Sequence, residues 1–256
     1  MTAKRIAIIN QKGGVGKTTT AINLGTYLAR LGKKVLILDL DPQGNTTSGL
    51  GIDTAELSGC VYNVLIDGAP IHRIRKETTA HTNLHLAPAS INLAAAEVEL
   101  VSQLAREHKL KASLEEISAD YDYILIDNPP SLGLLTVNGL VAADKVIIPV
   151  QAEYYALEGL GQLLSTVKRI RLQLNPSLDL LGVLVTMYDK RTSLSKEVQN
   201  ELQKHFGAHV FDTVIPRNVR LAEAPSYGKT IADYDKFSKG AQAYKSLAKE
   251  VVDKWE

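Results

Sequence analysis

Six short runs of aliphatic and β-branched residues punctuate the chain, at residues 6–9, 35–38, 84–87, 123–126, 145–150 and 180–185. Each is apolar without alternation, the pattern of strands buried on both faces. Between them, apolar positions recur at three- and four-residue spacing and predict helices over 18–31, 91–107, 132–141, 157–174, 194–205 and 239–254. Such alternation predicts an α/β fold, a doubly wound, mainly parallel sheet with helices on both faces. Residues 43–81, rich in Gly, Thr and polar side chains, read as irregular and have the composition of mobile switch loops. Within them and just beyond, residues 68–83 give the least readable pattern. No repeat or long linker interrupts the chain, and residues 1–256 are expected to form one domain.

The first apolar run leads into Lys12-Gly13-Gly14-Val15-Gly16-Lys17-Thr18-Thr19 and then into a helical pattern, the context a phosphate-binding P-loop requires. Glycines let successive backbone N–H groups turn toward one anion, and the opening helix adds the positive end of its dipole. Lys17 is placed to reach the β- and γ-phosphates and Thr18 to offer its hydroxyl to Mg²⁺. The usual first glycine of this motif is replaced by Gln11, so the loop is deviant, and Lys12 adds a second cation.

Two further strands end in acids. Residues 35–38 deliver Asp39-Leu40-Asp41-Pro42-Gln43-Gly44-Asn45, in which a spacing of two predicts that Asp39 and Asp41 share a face. Neighbouring carboxylates repel unless a cation or hydrogen bonds compensate, which points to Mg²⁺ or a positioned water. Asp41 is the candidate for orienting the attacking water, the alternative being a turn cap before Pro42. Residues 123–126 end at Asp127, suited to the carboxylate that holds hydrated Mg²⁺ in P-loop nucleoside triphosphatases. After it, Pro129-Pro130 imposes an extended path, Ser131-Leu132-Gly133 is the candidate loop for sensing the γ-phosphate, and Asn128 either belongs to that element or is only a turn former. Phosphoryl transfer relies on position and charge neutralisation, so no nucleophile is needed.

Composition narrows the setting. A 256-residue chain with 45% hydrophobic and 22% charged residues is globular, and no apolar run approaches the roughly 20 residues of a membrane span. With no signal-peptide core at its start, the protein is expected in the cytoplasm. Cys60, the single cysteine, excludes a disulfide framework and reads as small apolar filler. Six histidines show no metal-ligand spacing. Net charge is +1, but residues 1–164 carry 14 Lys/Arg against 17 Asp/Glu, and residues 165–256 carry 15 against 11. The second part is the better candidate for meeting a polyanion.

The P-loop, the Asp39–Asn45 motif, Asp127-Asn128-Pro129-Pro130-Ser131 and Pro216-Arg217-Asn218-Val219-Arg220-Leu221-Ala222-Glu223-Ala224-Pro225-Ser226 together resemble the deviant P-loop ATPases of the ParA/Soj partition family, in that family's order. The resemblance implies ATP and Mg²⁺, with Thr18, Asp41 and Asp127 at the metal. It implies an ATP-sandwich homodimer in which Lys12 reaches the partner's nucleotide, and non-specific double-stranded DNA as ligand, hence association with the nucleoid. It also implies a ParB-type centromere-binding protein that stimulates hydrolysis. Arg191 and Arg220 resemble the family's DNA-contacting arginines. Arg217 either joins them or lies near the base, since Pro216-Arg217-Asn218 resembles the nucleotide-base loop. Thr186-Met187-Tyr188-Asp189 stands where a guanine-reading element would be and lacks its Asn and Lys, which favours adenine. Asn128 departs from the Ala, Thr or Cys common in relatives. With the first strand so near the start, the chain resembles the short form of the family, for which promoter autorepression is not expected.

The chief rival is a membrane-recruited positioning ATPase of the MinD type, because Tyr244, Leu247, Ala248, Val251, Val252 and Trp255 form an apolar stripe. Lys245, Lys249 and Lys254 are offset there by Glu250, Asp253 and Glu256, a poor match for an anionic surface, so packing against the domain is expected instead. An iron–sulfur reductase needs two cysteines per subunit, which Cys60 alone does not supply. A pure binding module is disfavoured by the presence of Lys17, Thr18, Asp41 and Asp127 together.

Overall fold

A computed structural model describes residues 2–153 and 158–255. Its elements run β1 (Lys4–Ile8), α1 (Lys17–Arg30), β2 (Val35–Asp39), α2 (Asn45–Gly49), α3 (Val61–Ile66), α4 (Ile71–Ile74), β3 (Lys76–Glu77), β4 (Leu84–Ala87), α5 (Leu93–Glu99) and α6 (Lys109–Glu116). There follow β5 (Tyr123–Asp127), α7 (Leu134–Ala142), β6 (Lys145–Gln151), α8 (Glu158–Gln173), β7 (Asp179–Thr186), α9 (Ser193–Phe206), α10 (Val219–Glu223), α11 (Ile231–Tyr234) and α12 (Lys239–Trp255).

The strands form one seven-stranded sheet in the order β3-β4-β2-β5-β1-β6-β7, parallel except where β3 pairs antiparallel with β4. The unbroken apolar runs are explained by two cores. Ile6 and Ile8 of β1 pack with α1 and α12 on one face, while Ala7 and Ile9 pack with helices including α3, α6 and α7 on the other. Every position of the inner strands therefore meets an apolar layer. β1 sits between β5 and β6, and β5 lies beside β2, so the carboxyl ends of β1, β2 and β5 are neighbours. At such an edge a doubly wound sheet presents its ligand site.

Several expectations are corrected. The helix expected over 91–107 stops at Glu99 and is followed by short 3₁₀ turns at Leu100–Ser102 and Arg106–His108 before α6. Asn138 of α7 sustains that break: its side chain accepts from the N–H of Leu110 and donates to the carbonyl of Arg106. The stretch expected to be irregular carries three short helices, α2 to α4, among its turns, and polar β3 escapes the hydrophobic pattern. Leu157, the first residue of the helix expected over 157–174, lies outside the described residues. Cys60 is buried, but its Sγ lies 3.1 Å from Ser90 Oγ, so it is more than filler.

The C-terminal stripe faces inward. Tyr244, Leu247, Ala248 and Val251 are buried against α1 and the sheet, with Val252 and Trp255 partly buried beside them. Among the described residues no helix is long and apolar enough to cross a membrane.

Candidate nucleotide site

The P-loop follows β1 and opens α1. Gly14 and Gly16 have φ of 73° and 92°, values that a side chain would disfavour. Gly16 is the N-cap of α1 and supplies no side-chain acceptor. The first amides of α1 therefore keep their hydrogen-bonding capacity for an external acceptor, with the helix dipole behind them. Two long-range bonds hold the loop in shape: Thr186 donates to the carbonyl of Val15 at 2.8 Å, and the Asn10 amide donates to that of Pro149 at 2.7 Å.

Lys17 is buried, its ammonium 3.5 Å from the carbonyl of Lys12. Burial pulls its pKa down, while Asp127 and Asp41 oppose that pull by favouring the charged form. A phosphate would relieve the same strain. Lys12 differs in setting: its backbone N–H donates to Asn10, and its ammonium points to Glu153 at 3.7 Å.

Asp127 is fully buried, and one of its oxygens, Oδ2, accepts from Thr18 at 2.8 Å and from Thr46 at 2.7 Å. The other oxygen, Oδ1, is buried with no hydrogen-bond partner among the described residues. A carboxylate so placed, next to a threonine hydroxyl at the head of a P-loop helix, is what hydrated Mg²⁺ requires, and these residues fit the ion. Burial raises the pKa of Asp127, and a nearby cation would reverse that shift.

Asp39 and Asp41 do not act as a pair on one strand face. β2 ends at Asp39, whose carboxylate is fully buried and accepts from the N–H and hydroxyl of Thr47 and from the N–H of Asp41. It anchors the start of α2. Burial, reinforced by Asp127 in register across β2 and β5, pushes its pKa up. Asp41 lies one turn further on, 9% exposed, with Oδ1 accepting from the N–H of Gln43. The turn-cap geometry is thus present, and its second oxygen remains available for water or metal.

A cavity of about 330 Å³ adjoins the P-loop, lined by Gly16, Thr19, Met187, Pro216, Arg217 and Asn218 among others. That volume lies in the range of small-ligand sites. Met187 has φ of 52°, a strained value for a methionine, stabilised as Tyr188 exchanges backbone hydrogen bonds with Ile215 and Arg217. Asn218 caps α10 through Arg220 N–H. Tyr244 lies in the wall, its hydroxyl 3.1 Å from that of Thr20. Sequence reasoning missed Thr46, Glu153 and Tyr244 as parts of this site. Only Thr46, directly after Asn45, gave a local signal.

The basic candidates divide. Arg217 belongs to the cavity wall and lies 3.5 Å from Glu153. Arg191, with 83% of its side chain exposed, is bidentate with Asp189. Arg220, 55% exposed, pairs with Glu223 and lies over the Tyr234 ring.

A family model described as an AAA domain matches residues 3–180. The sporulation initiation inhibitor protein Soj of Bacillus subtilis is 58% identical over 97% of this chain and 98% of its own length. The chromosome partitioning protein ParA of Caulobacter vibrioides (strain NA1000 / CB15N) is 50% identical over 97% of this chain and 94% of its own. A solved Mycobacterium smegmatis structure, described as cobyrinic acid a,c-diamide synthase with bound ATP analog and magnesium, superposes with a TM-score of 0.87 at 39% identity, covering 99% of this chain and 96% of that one. The chain belongs to the ParA/Soj family of chromosome-partitioning ATPases.

Proposed function

We propose that the chain is a Mg²⁺-dependent ATP hydrolase of low intrinsic rate, which dimerises on ATP, binds DNA without sequence preference and is reset by hydrolysis that a ParB-type partner stimulates. The observation that carries the chemistry is Oδ1 of buried Asp127, without a hydrogen-bond partner among the described residues, beside Thr18 at the head of a P-loop helix with no side-chain cap. Amides of residues 13–19 and Lys17 hold the phosphates, and the cavity at Met187, Pro216, Arg217 and Asn218 receives adenine. Thr18 and Asp127, with Asp41, hold the metal. Held there, magnesium would supply positive charge to offset the negative charge that develops on the phosphates. Asp41 orients the attacking water, and Lys12 supplies a positive charge to the partner's nucleotide. Because this last cation comes from the second subunit, hydrolysis is tied to dimerisation, and loss of the γ-phosphate dissolves the dimer.

Membrane recruitment is the weaker reading, because the stripe on α12 is already buried against α1 and the sheet. DNA and anionic vesicles, each offered to the pure protein with ATP, ADP or no nucleotide, decide between the two. ATP-dependent DNA binding without vesicle binding supports partition; the reverse result overturns it.

A further inference from the structure

Glu97 lies on α5, away from the nucleotide cavity, yet its carboxylate reaches the segment that leaves Asp127. Oε2 accepts from the N–H of Leu134 at 2.8 Å and Oε1 from that of Leu135 at 3.3 Å. These residues open α7, whose N-cap, Gly133, brings no side chain. A carboxylate there satisfies two donors that the helix itself leaves over and meets the positive end of its dipole. The contact is also written into the sequence. Gly133 has φ of −79°, which any residue adopts, but a Cβ on it would overlap both oxygens of Glu97. A side chain at 133 would push the Glu97 carboxylate aside, so the contact depends on glycine there.

The segment between Asp127 and α7 is short and anchored at both ends. At its start, the Asn128 side chain donates to the carbonyls of Ile8 and Ile126. Near its end, Thr136 donates to the carbonyl of Ser131 at 2.6 Å. Pro129 and Pro130 stiffen the middle. With so little slack, the position of the first turn of α7 is transmitted to the Asp127 end. Glu97 itself has a fixed support, because Leu93, Ala96 and Leu100 around it are buried in the core.

We infer that Glu97 is a positioning residue for hydrolysis: by holding the first turn of α7 it fixes residues 128–133 relative to the phosphates and Asp127. The inference rests on the ATPase reading above. In phosphoryl transfer a small displacement lowers the rate while leaving ground-state binding nearly intact, so the effect belongs in kcat.

The test measures ATP turnover, binding of a fluorescent ATP analogue and amide hydrogen exchange in wild type, Glu97→Ala, Glu97→Gln and Gly133→Ala. Glu97→Ala and Gly133→Ala are expected each to lower kcat about tenfold with nucleotide Kd changed by less than about twofold. Exchange at Leu134 and Leu135 should quicken. Glu97→Gln, which keeps one acceptor oxygen, should recover most of the rate, and the double variant combining Glu97→Ala with Gly133→Ala should be no worse than either single one. An unchanged kcat in Glu97→Ala while those amides exchange faster overturns the inference. So does a parallel loss of kcat and nucleotide affinity in all three single variants, which is the mark of a merely structural role. No turnover by wild type with ATP and Mg²⁺ overturns the ATPase reading and this inference with it; normal wild-type turnover matched by Glu97→Ala overturns the inference alone.

Discussion

Lys12 and Glu153 face each other at the mouth of the P-loop, ammonium to carboxylate 3.7 Å apart, each side chain 44% exposed. An ion pair so wetted is worth only about 0.2–1 kcal/mol, so Lys12 is held loosely within its own subunit and exchanges readily for a phosphate. Lys17 is buried and bound up with the acids of its own site. The two lysines therefore separate by phenotype. Lys12→Ala should abolish the ATP-dependent dimer in light scattering while leaving monomer nucleotide binding within about threefold, whereas Lys17→Ala should lose nucleotide itself. An intact ATP dimer in Lys12→Ala would remove the role in trans.

Asp41 has one oxygen turned to Gln43 N–H and sits beside, not within, the P-loop. Asp41→Ala should retain ATP binding and lose turnover by a factor on the order of 10² or more, so that the variant accumulates as an ATP-bound dimer. Equilibrium binding and single-turnover hydrolysis check this together. Equal losses in both would make Asp41 a binding or folding residue.

The strands and the P-loop were legible in the sequence because their signals are local. An apolar run between two cores needs no knowledge of its partners, and glycines at positive φ followed by Lys-Thr describe one turn. What escaped depends on partners distant in the chain. The break after α5 is sustained by Asn138, and the P-loop is pinned by Thr186, 171 residues from Val15. The pairing of Asp39 with Asp41 failed for a related reason: Thr47 takes the Asp39 carboxylate for the start of α2, and the strand ends there.

His85 on β4 is partly buried, with Nδ1 2.8 Å from the Tyr121 hydroxyl. Burial lowers its pKa below the usual 6.5, and Arg75 lowers it further while Glu77 pulls the other way. With the folded value below the unfolded one, the unfolded chain takes up the proton first. Stability should therefore hold above about pH 6.5 and decline as pH falls through the window beneath it. Thermal melts of the nucleotide-free protein between pH 5 and 7.5 should show a shallower decline in His85→Gln than in wild type. An identical slope would mean that other groups dominate that limb.

The arginines proposed to bind DNA, Arg191 and Arg220, are paired in this structure with partly exposed acids, Asp189 and Glu223. Arg191 holds the Asp189 carboxyl well below the usual carboxylate range, yet both pairs lie at the surface, where a phosphate replaces a carboxylate at little cost. One monomer offers few such cations. Joining two copies makes the second set of phosphate interactions intramolecular and multiplies affinity, so ATP should switch DNA binding on. Arg191→Glu and Arg220→Glu should each weaken binding across all sequences alike, without changing the ATP dimer. Each should also lower the slope of log affinity against log salt by about 0.9 for every phosphate that is no longer neutralised. Asp189→Asn removes the competing carboxylate and should raise affinity severalfold at low salt. Fluorescence anisotropy with two unrelated duplexes over a salt series measures all three effects. Binding that ignores salt, or that is equal with and without ATP, would set these arginines and the dimer switch aside.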